Sequence, residues 1–174
     1  LKSIKCANLS EFWRGQRYIK LFDPNILACR QQLDLLEQLA DSKAYVDFTQ
    51  GLDIRMTTPK NIEVINRMRI KNIHFAWDNP QDKLEKRFAR YAELAKHKPH
   101  GNFGTVYVLT NYNTTMDENL YRIYALRDLG FNPYVMIYNK PKAPREIRLL
   151  QRWVNNVPIF RNCPRFEDYD PTKG

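Results

Sequence analysis

The chain has 174 residues, 43% of them hydrophobic, and its 28 basic and 19 acidic residues give a net formal charge of +9. This length and apolar content are typical of one domain with its own core and argue against a second independent domain. No run of about 18 uncharged apolar residues occurs, and the N-terminus lacks an export-signal pattern. We therefore expect a cytoplasmic protein with no membrane span.

Five short apolar runs end in polar residues and are each followed by a helix-length amphipathic stretch. Their starts lie 26, 28, 33 and 28 residues apart, which is the length of a βα unit. The runs are YIKLF (18–22), AYVDFTQ (44–50), NIHFAW (72–77), TVYVLT (105–110) and PYVMIY (133–138). The sequence predicts an α/β fold with a parallel sheet, and its polar strand ends should gather on one rim, where function is expected.

Caps and helix breakers mark the helices between these strands. We expect a short first helix capped by Asn8 or Ser10, then helices over 29–42, over 58–68 behind the cap Thr58, and from Pro80 through position 94. Two more should run from a threonine cap at 114 or 115 to position 130 and from Pro144 to position 154. The domain organisation is then a lead-in (1–16), a βα-repeat domain (17–157) and an irregular tail (158–174).

Five βα units fit either an open doubly wound sheet or a partial or complete barrel. By the period of two along a strand, Lys20, Asp47 and His74 would lie in one layer on the inner face. Ionisable side chains are costly in a dry core but tolerable inside a hydrated barrel, which favours the barrel. The alternative places Lys20 on a solvent-facing edge strand and makes Asp47 a hydrogen-bonded structural carboxylate.

Familiar catalytic and metal motifs are missing from the sequence. The cysteines and histidines that could bind a metal are Cys6, Cys29, Cys163, His74, His97 and His100. Three widely spaced cysteines argue against a disulfide framework and form no local metal motif, and the histidines complete no Cys/His set. No Gly-x-Gly-x-x-Gly, Walker-type or Gly-x-Ser-x-Gly sequence occurs. These absences disfavour a dehydrogenase, a nucleotide hydrolase and an α/β-hydrolase.

Longer segments carry a resemblance to a known family. They are IKLFDPNILA (19–28), AYVDFTQGLDIRM (44–56), NIHFAWD (72–78), VYVLTNYNTT (106–115), LGFNPYVMIY (129–138) and the tail RWVNNVPIFRNCPRFEDYDP (152–171). Together they closely resemble a bacterial group of radical S-adenosylmethionine proteins. The resemblance implies most of a partial (β/α)6 TIM-like barrel, with these five strands as the second to sixth, and a [4Fe-4S] cluster on a cysteine loop after the first strand.

The cluster motif of that family, Cys-x3-Cys-x2-Cys, is absent. Cys6, Cys29 and Cys163 are separated by 22 and 133 residues and cannot replace it. We therefore expect the cluster loop upstream and no metal ligands in this chain, which would be the C-terminal portion of an enzyme and inactive alone. S-adenosylmethionine and the cluster are the cofactors implied for the full-length parent, and neither is expected to be found bound to this chain alone. Its substrate, whether peptide, nucleic acid or small molecule, is not readable.

The resemblance also assigns nucleotide-binding roles to polar residues after the first two strands. Asp23 and Asn25 would accept protons of the methionine amino group, although a proline-set turn explains them equally. Gln50 lies in the next cluster, in which Arg55 could bind a carboxylate at two points and Asp53 could orient it. Alternatively, Asp53 and Arg55 simply pair with each other.

Later strand ends complete the predicted site. Asp78 would accept from ribose hydroxyls, and the Trp77 indole would pack on sugar or adenine; a helix cap is the alternative for Asp78. Thr110 and Asn111 offer a neutral hydrogen-bonding edge for adenine or ribose, or else form only a turn and cap. No catalytic residue is assigned.

The charge supports a second class of function, a non-enzymatic basic module that binds nucleic acid with its 22 aromatic residues. The densest basic stretches are 83–98 and 140–152. Solvated basic helix faces are the alternative explanation of both stretches.

Overall fold

Five parallel strands form one sheet in the computed structural model, which describes residues 4–172. They are β1 (Tyr18–Leu21), β2 (Tyr45–Phe48), β3 (Arg69–Ala76), β4 (Thr105–Thr110) and β5 (Asn132–Ile137). Every neighbouring pair is parallel, and the order in the sheet is the order in the chain. The predicted α/β class and its five βα units are confirmed.

Helices connect the strands and follow the last one. Within residues 4–172 they are α1 (Leu9–Phe12), α2 (Gln32–Asp41), α3 (Pro59–Asn66), α4 (Glu85–Leu94), α5 (Met116–Asp128), α6 (Arg145–Asn155) and α7 (Val157–Asn162). None of these helices is both long and apolar enough to cross a membrane.

The two faces of the sheet differ in what covers them. Alternate strand residues such as Val46 and Phe75 are buried in one core together with helix residues such as Leu36 and Phe88. On the opposite face, large side chains such as Tyr134 remain substantially exposed. The helices therefore cover one face, and we call the other the open face of the sheet.

This arrangement separates the two predicted architectures. A doubly wound sheet reverses its strand order at a switch point and carries helices on both faces, whereas a barrel adds strands in chain order. Here β1 to β5 follow chain order, and the edge strands β1 and β5 are not paired with each other in the described part of the chain. The sheet is open and compatible with a partial barrel.

One prediction about the open face needs correction. Lys20 pairs in register with Asp47, but Asp47 pairs with Asn72, so His74 lies two residues beyond the predicted layer along β3. The register shift between Val46 and Asp47 leaves one extra residue in β3, and this keeps Asn72 and His74 on the same face of the sheet as Asp47. Asp47 is buried and accepts a hydrogen bond from the Asn72 amide at 2.7 Å, as a structural carboxylate would.

Helix starts follow the predicted caps with one exception. Thr58 and Thr115 both cap their helices through reciprocal capping boxes. Pro80, however, begins only a 3-10 turn (Pro80–Asp82), and α4 starts at Glu85. The reason is Lys83, whose left-handed backbone (φ 47°) interrupts the helical path between the two.

The C-terminal segment is more regular than the predicted irregular tail. Asn156 caps α7 by accepting from the Ile159 backbone N–H at 3.3 Å. Downstream, Phe160 and Phe166 place their rings 4.8 and 5.5 Å from that of Trp153 in α6. Few apolar residues suffice to fold this segment because they are large aromatic rings that pack on one indole.

Helix α6 also protects the outer edge of β5. The Val135 backbone N–H donates to the Asn155 side chain at 2.8 Å, and the Val135 carbonyl accepts from Gln151 and Asn155, both at 3.0 Å. Side chains thus take the place of a further strand at this position, which satisfies backbone groups that an edge strand would otherwise expose.

Candidate functional site

A cleft of about 310 Å³ opens at the carboxyl ends of the strands. Loops after β1, β2 and β3 form its walls, and Tyr107 reaches it from β4. Five of the nine predicted site residues line it: Asn25, Gln50, Asp53, Arg55 and Asp78. Its position is the rim on which a parallel sheet gathers its polar strand ends.

The loop after β1 adopts the predicted turn. Asp23 accepts a hydrogen bond from the Asn25 backbone N–H at 2.8 Å and does not line the cleft. Asn25 in turn accepts from the Asp53 backbone N–H at 3.3 Å. Asp23 thus shapes the turn, and Asn25 ties the first wall of the cleft to the second.

Gly51 lets the second wall approach the sheet closely. Its φ is +93°, and a Cβ at this position would lie 3.0 Å from the His74 carbonyl oxygen. The following N–H, of Leu52, donates to the same carbonyl at 2.8 Å. Only glycine combines this backbone conformation with such a close approach, so Gly51 fixes where Gln50 and Asp53 stand.

Arg55 is paired inside the cleft. Its guanidinium donates to both Asp53 carboxylate oxygens, with Nε and Nη2 each at 2.9 Å from one of them, and Nη1 lies 3.6 Å from Asp82. Burial acts to raise the pKa of Asp53, but the side-chain and backbone hydrogen bonds from Arg55 outweigh it and hold that pKa below its ordinary value. The predicted alternative, a mutual pair, is the observed state.

Asp78 stands on the wall that β3 supplies. Partial burial raises the pKa of its carboxyl above the ordinary value, against the opposing effect of the Arg122 guanidinium and of a hydrogen bond from the Leu109 backbone. Asp78 is not the cap of the following turn, because Asn79 accepts from the Gln81 backbone N–H at 3.0 Å and takes that role. Asp78 therefore lines the cleft without serving as a helix cap.

Arg122 is the main feature that sequence reasoning missed. It is fully buried in α5 and donates to the carbonyls of Trp77 (2.6 Å), Asp78 (2.9 Å) and Leu109 (3.0 Å), where β3 and β4 end. The Asn119 side chain accepts a fourth bond at 2.6 Å. Burial lowers the pKa of Arg122 to about 10, so it is charged at neutral pH and holds the rim from beneath.

A weak sequence signal for Arg122 exists. Asn119, Arg122 and Leu126 recur at spacings of three and four, so they share a helix face with the apolar stripe. Two polar residues on a stripe that packs against a sheet indicate buried hydrogen bonding. The prediction for this helix rested on its cap and its end and so passed over both polar residues.

Three other predicted residues are engaged away from the cleft. Trp77 is fully buried, with its ring 5.8 Å from that of Phe88 and its indole N–H donating to the Asn79 carbonyl at 3.1 Å. Thr110 is fully buried and donates to the Met136 carbonyl at 3.1 Å, while Asn111 donates to the Tyr138 carbonyl at 2.8 Å. The last two tie the ends of β4 and β5 together.

No cluster ligands come together in the described residues. Cys6 is exposed, Cys29 is buried and Cys163 is half-buried in the C-terminal segment. Across residues 4–172, no group of three or more His, Cys, Asp and Glu side chains is placed to hold a metal ion. The cysteines present therefore do not fit a [4Fe-4S] cluster.

The charge of the cleft differs from that of the whole chain. Three carboxylates, of Asp53, Asp78 and Asp82, and one guanidinium, of Arg55, line it, so its lining carries an excess of two negative charges in a chain of +9. Carboxylates and amides accept hydrogen bonds from hydroxyls and ammonium groups. The cleft is suited to a cationic ligand that also carries hydroxyls.

Comparison of the chain with protein-family models, with curated proteins and with solved structures yields no match.

Proposed function

We propose that this chain is part of a radical S-adenosylmethionine enzyme and that its rim cleft binds S-adenosylmethionine. The supporting observation is the acidic cleft at the carboxyl ends of parallel strands that follow chain order. S-adenosylmethionine carries a sulfonium, an ammonium group and ribose hydroxyls, which match carboxylate and amide acceptors in charge and hydrogen bonding.

Within this proposal each wall of the cleft has a task. Asp78 accepts from the ribose hydroxyls, and Gln50 and Asn25 offer amide groups to the polar edges of the nucleotide. Asp53 neutralises Arg55, which would otherwise repel the sulfonium. Arg122 positions Asp78 by holding its backbone carbonyl.

The cluster of this family supplies the radical chemistry when it is bound. The cysteines of the described residues do not fit it, so the roles above concern only nucleotide binding.

Calorimetric titration with S-adenosylmethionine tests the proposal. We expect saturable binding, and Asp78→Asn should weaken it about tenfold because one hydrogen bond to a charged group is lost. Asp41→Asn removes the same charge from an exposed helix end outside the cleft and should leave the affinity unchanged. Absence of binding at millimolar ligand, or an equal loss in both variants, would contradict the proposal.

A further inference from the structure

Most of the net positive charge of this protein comes from one stretch of the chain. Residues 132–166 contain seven basic residues and one acidic residue, Glu146, which is a net formal charge of +6 out of +9. The stretch runs from β5 through α6 and α7. It therefore lies at the β5 edge of the sheet, outside the loops after β2 and β3 that carry Asp53 and Asp78.

The cations next to the end of β5 are exposed and available. Lys140, Lys142, Arg145 and Arg148 are all exposed. Within residues 4–172 none of the four forms an ion pair with a carboxylate. A cluster of this kind is self-repulsive unless an anion lies against it.

Exposed aromatic rings occur on β5 and just after the ends of β4 and β5. Tyr112, Tyr134 and Tyr138 are 42 to 52% exposed, which is high for side chains of this size. The rings of Tyr112 and Tyr138 meet at 4.9 Å at the ends of β4 and β5. We call Tyr112, Tyr134, Tyr138, Lys140 and Lys142 together the β5 surface.

A groove continues this surface between β5 and the two last helices. It measures about 610 Å³, and its lining includes Tyr134 and Lys140 but no carboxylate. An exposed ammonium in a lining without carboxylates favours an anionic ligand.

The β5 surface also connects to the acidic cleft. The Tyr134 ring meets the Tyr107 ring edge-on at 5.7 Å, and Tyr107 lines the cleft. A ligand stacked on Tyr134 would thus lie one residue away from a molecule bound at Asp78.

We propose that the β5 surface binds single-stranded nucleic acid. Stacking on exposed aromatic rings together with cations along the backbone is the way proteins hold single strands, and every base offers a π-face to such rings. Phosphates supply the anions that Lys140 and Lys142 lack. The view that this strand is the substrate of the enzyme rests on the proposed function, whereas the binding itself does not.

Fluorescence anisotropy with a labelled oligothymidylate of about 12 nucleotides tests the inference on the full chain. We expect binding at about 50 mM salt and a steep loss by about 200 mM, because phosphate contacts release counterions. Binding that is absent at low salt, or that hardly responds to salt, would overturn the inference.

Matched variants locate the site. Lys140→Ala with Lys142→Ala should lower the slope of log affinity against log salt by about 1.4, from two lost phosphate contacts on a single strand. Lys60→Ala with Lys86→Ala removes the same charge from exposed positions of α3 and α4 and should leave the slope unchanged. Equal effects of the two pairs would overturn the placement.

A tyrosine pair separates stacking from general charge. Tyr138→Leu should weaken binding roughly 5- to 150-fold, the range for one stacked base, whereas Tyr121→Leu, 51% exposed on α5, should not. Polyglutamate serves as a competitor: if it displaces the oligonucleotide as well as unlabelled oligothymidylate does, the partner is an acidic protein and the inference fails. S-adenosylmethionine titration of the lysine variant should match the unaltered protein, so failure of the cleft and failure of the β5 surface give different results.

Discussion

The two ends of the sheet differ in a basic side chain: the buried Arg122 at one end is charged, and the half-buried His97 at the other is neutral at pH 7. At the carboxyl end, Arg122 finds carbonyl acceptors from β3, β4 and α5, and its pKa of about 10 keeps it charged. At the amino end, burial lowers the pKa of His97 to about 4, and its ring has one hydrogen-bond partner among the described residues, the Tyr91 hydroxyl at 2.9 Å. The supply of acceptors decides whether a buried base keeps its charge.

This difference has a consequence for function. Carbonyls that emerge at the carboxyl end can hold a cation, and that cation fixes the backbone from which Asp78 projects into the cleft. At the amino end, His97 is neutral at pH 7, and Tyr91 is fully buried beside Phe75.

The largest expected effect comes from replacing Arg122, the charged one of the two basic side chains. Arg122→Met leaves the carbonyls of two strand ends without donors and should lower the free energy of unfolding by about 3–5 kcal/mol, as measured by urea denaturation. Arg122→Lys keeps the charge but has fewer hydrogen-bond donors, so its free energy of unfolding should lie between those of the unaltered protein and Arg122→Met. Arg87→Met, an exposed change on α4, is the control; a loss at position 122 as small as the control's would contradict the role of Arg122.

The neutral His97 predicts that the free energy of unfolding depends on pH. Because the folded-state pKa of His97 lies near 4 and the unfolded value near 6.5, its stabilising effect is complete above pH 6.5 and is lost as the pH falls towards 4. We expect a loss of about 2–3 kcal/mol over this range in urea denaturation series. His97→Gln should flatten that part of the profile, and exposed His100→Gln should not; an unchanged profile in His97→Gln would assign the pH dependence elsewhere.

A smaller effect tests the close approach of Gly51 to the His74 carbonyl at the cleft. Gly51→Ala should lower the free energy of unfolding by about 1–2 kcal/mol, because a Cβ would add strain at positive φ and press on the His74 carbonyl. Gly101→Ala shares the positive φ but meets open space, so the difference between the two variants isolates the contact. Equal losses would show that the contact with His74 relaxes freely.

The smallest expected effect concerns the one hydrogen bond of His97. Tyr91→Phe removes its hydroxyl partner and should cost about 1 kcal/mol of stability at neutral pH. Tyr18→Phe removes an exposed hydroxyl and should cost less than about 0.5 kcal/mol. If both variants were equally stable, the bond would contribute nothing.

Much of the fold was predictable from local sequence. The spacing of apolar runs predicted all five strands, and Thr58 and Thr115 marked their helices because a cap depends on residues only three positions apart. The predicted helix start at Pro80 was wrong because the left-handed backbone of Lys83 interrupts the helix after a single 3-10 turn. The C-terminal segment was taken as irregular because its packing on Trp153 joins residues distant in sequence.

Part of the candidate site was predictable because its residues follow directly on predicted strands. Asn25, Gln50, Asp53, Arg55 and Asp78 were predicted as strand-end residues, and the topology brings them to one cleft. Trp77 and Thr110 also stand at strand ends, yet both point into packed regions, and a sequence pattern does not fix the orientation of the last residue of a strand.

By itself, the sequence determined the α/β class, the parallel strands and the rim that carries polar residues, because each follows from periodicity and from caps within a few residues. Only the tertiary structure decided that helices cover one face, that Arg55 is paired, that Arg122 lies charged beneath Asp78, and that the cleft is acidic in a basic protein. Those properties depend on which distant groups meet and on how far burial removes them from water, and neither is encoded in local spacing.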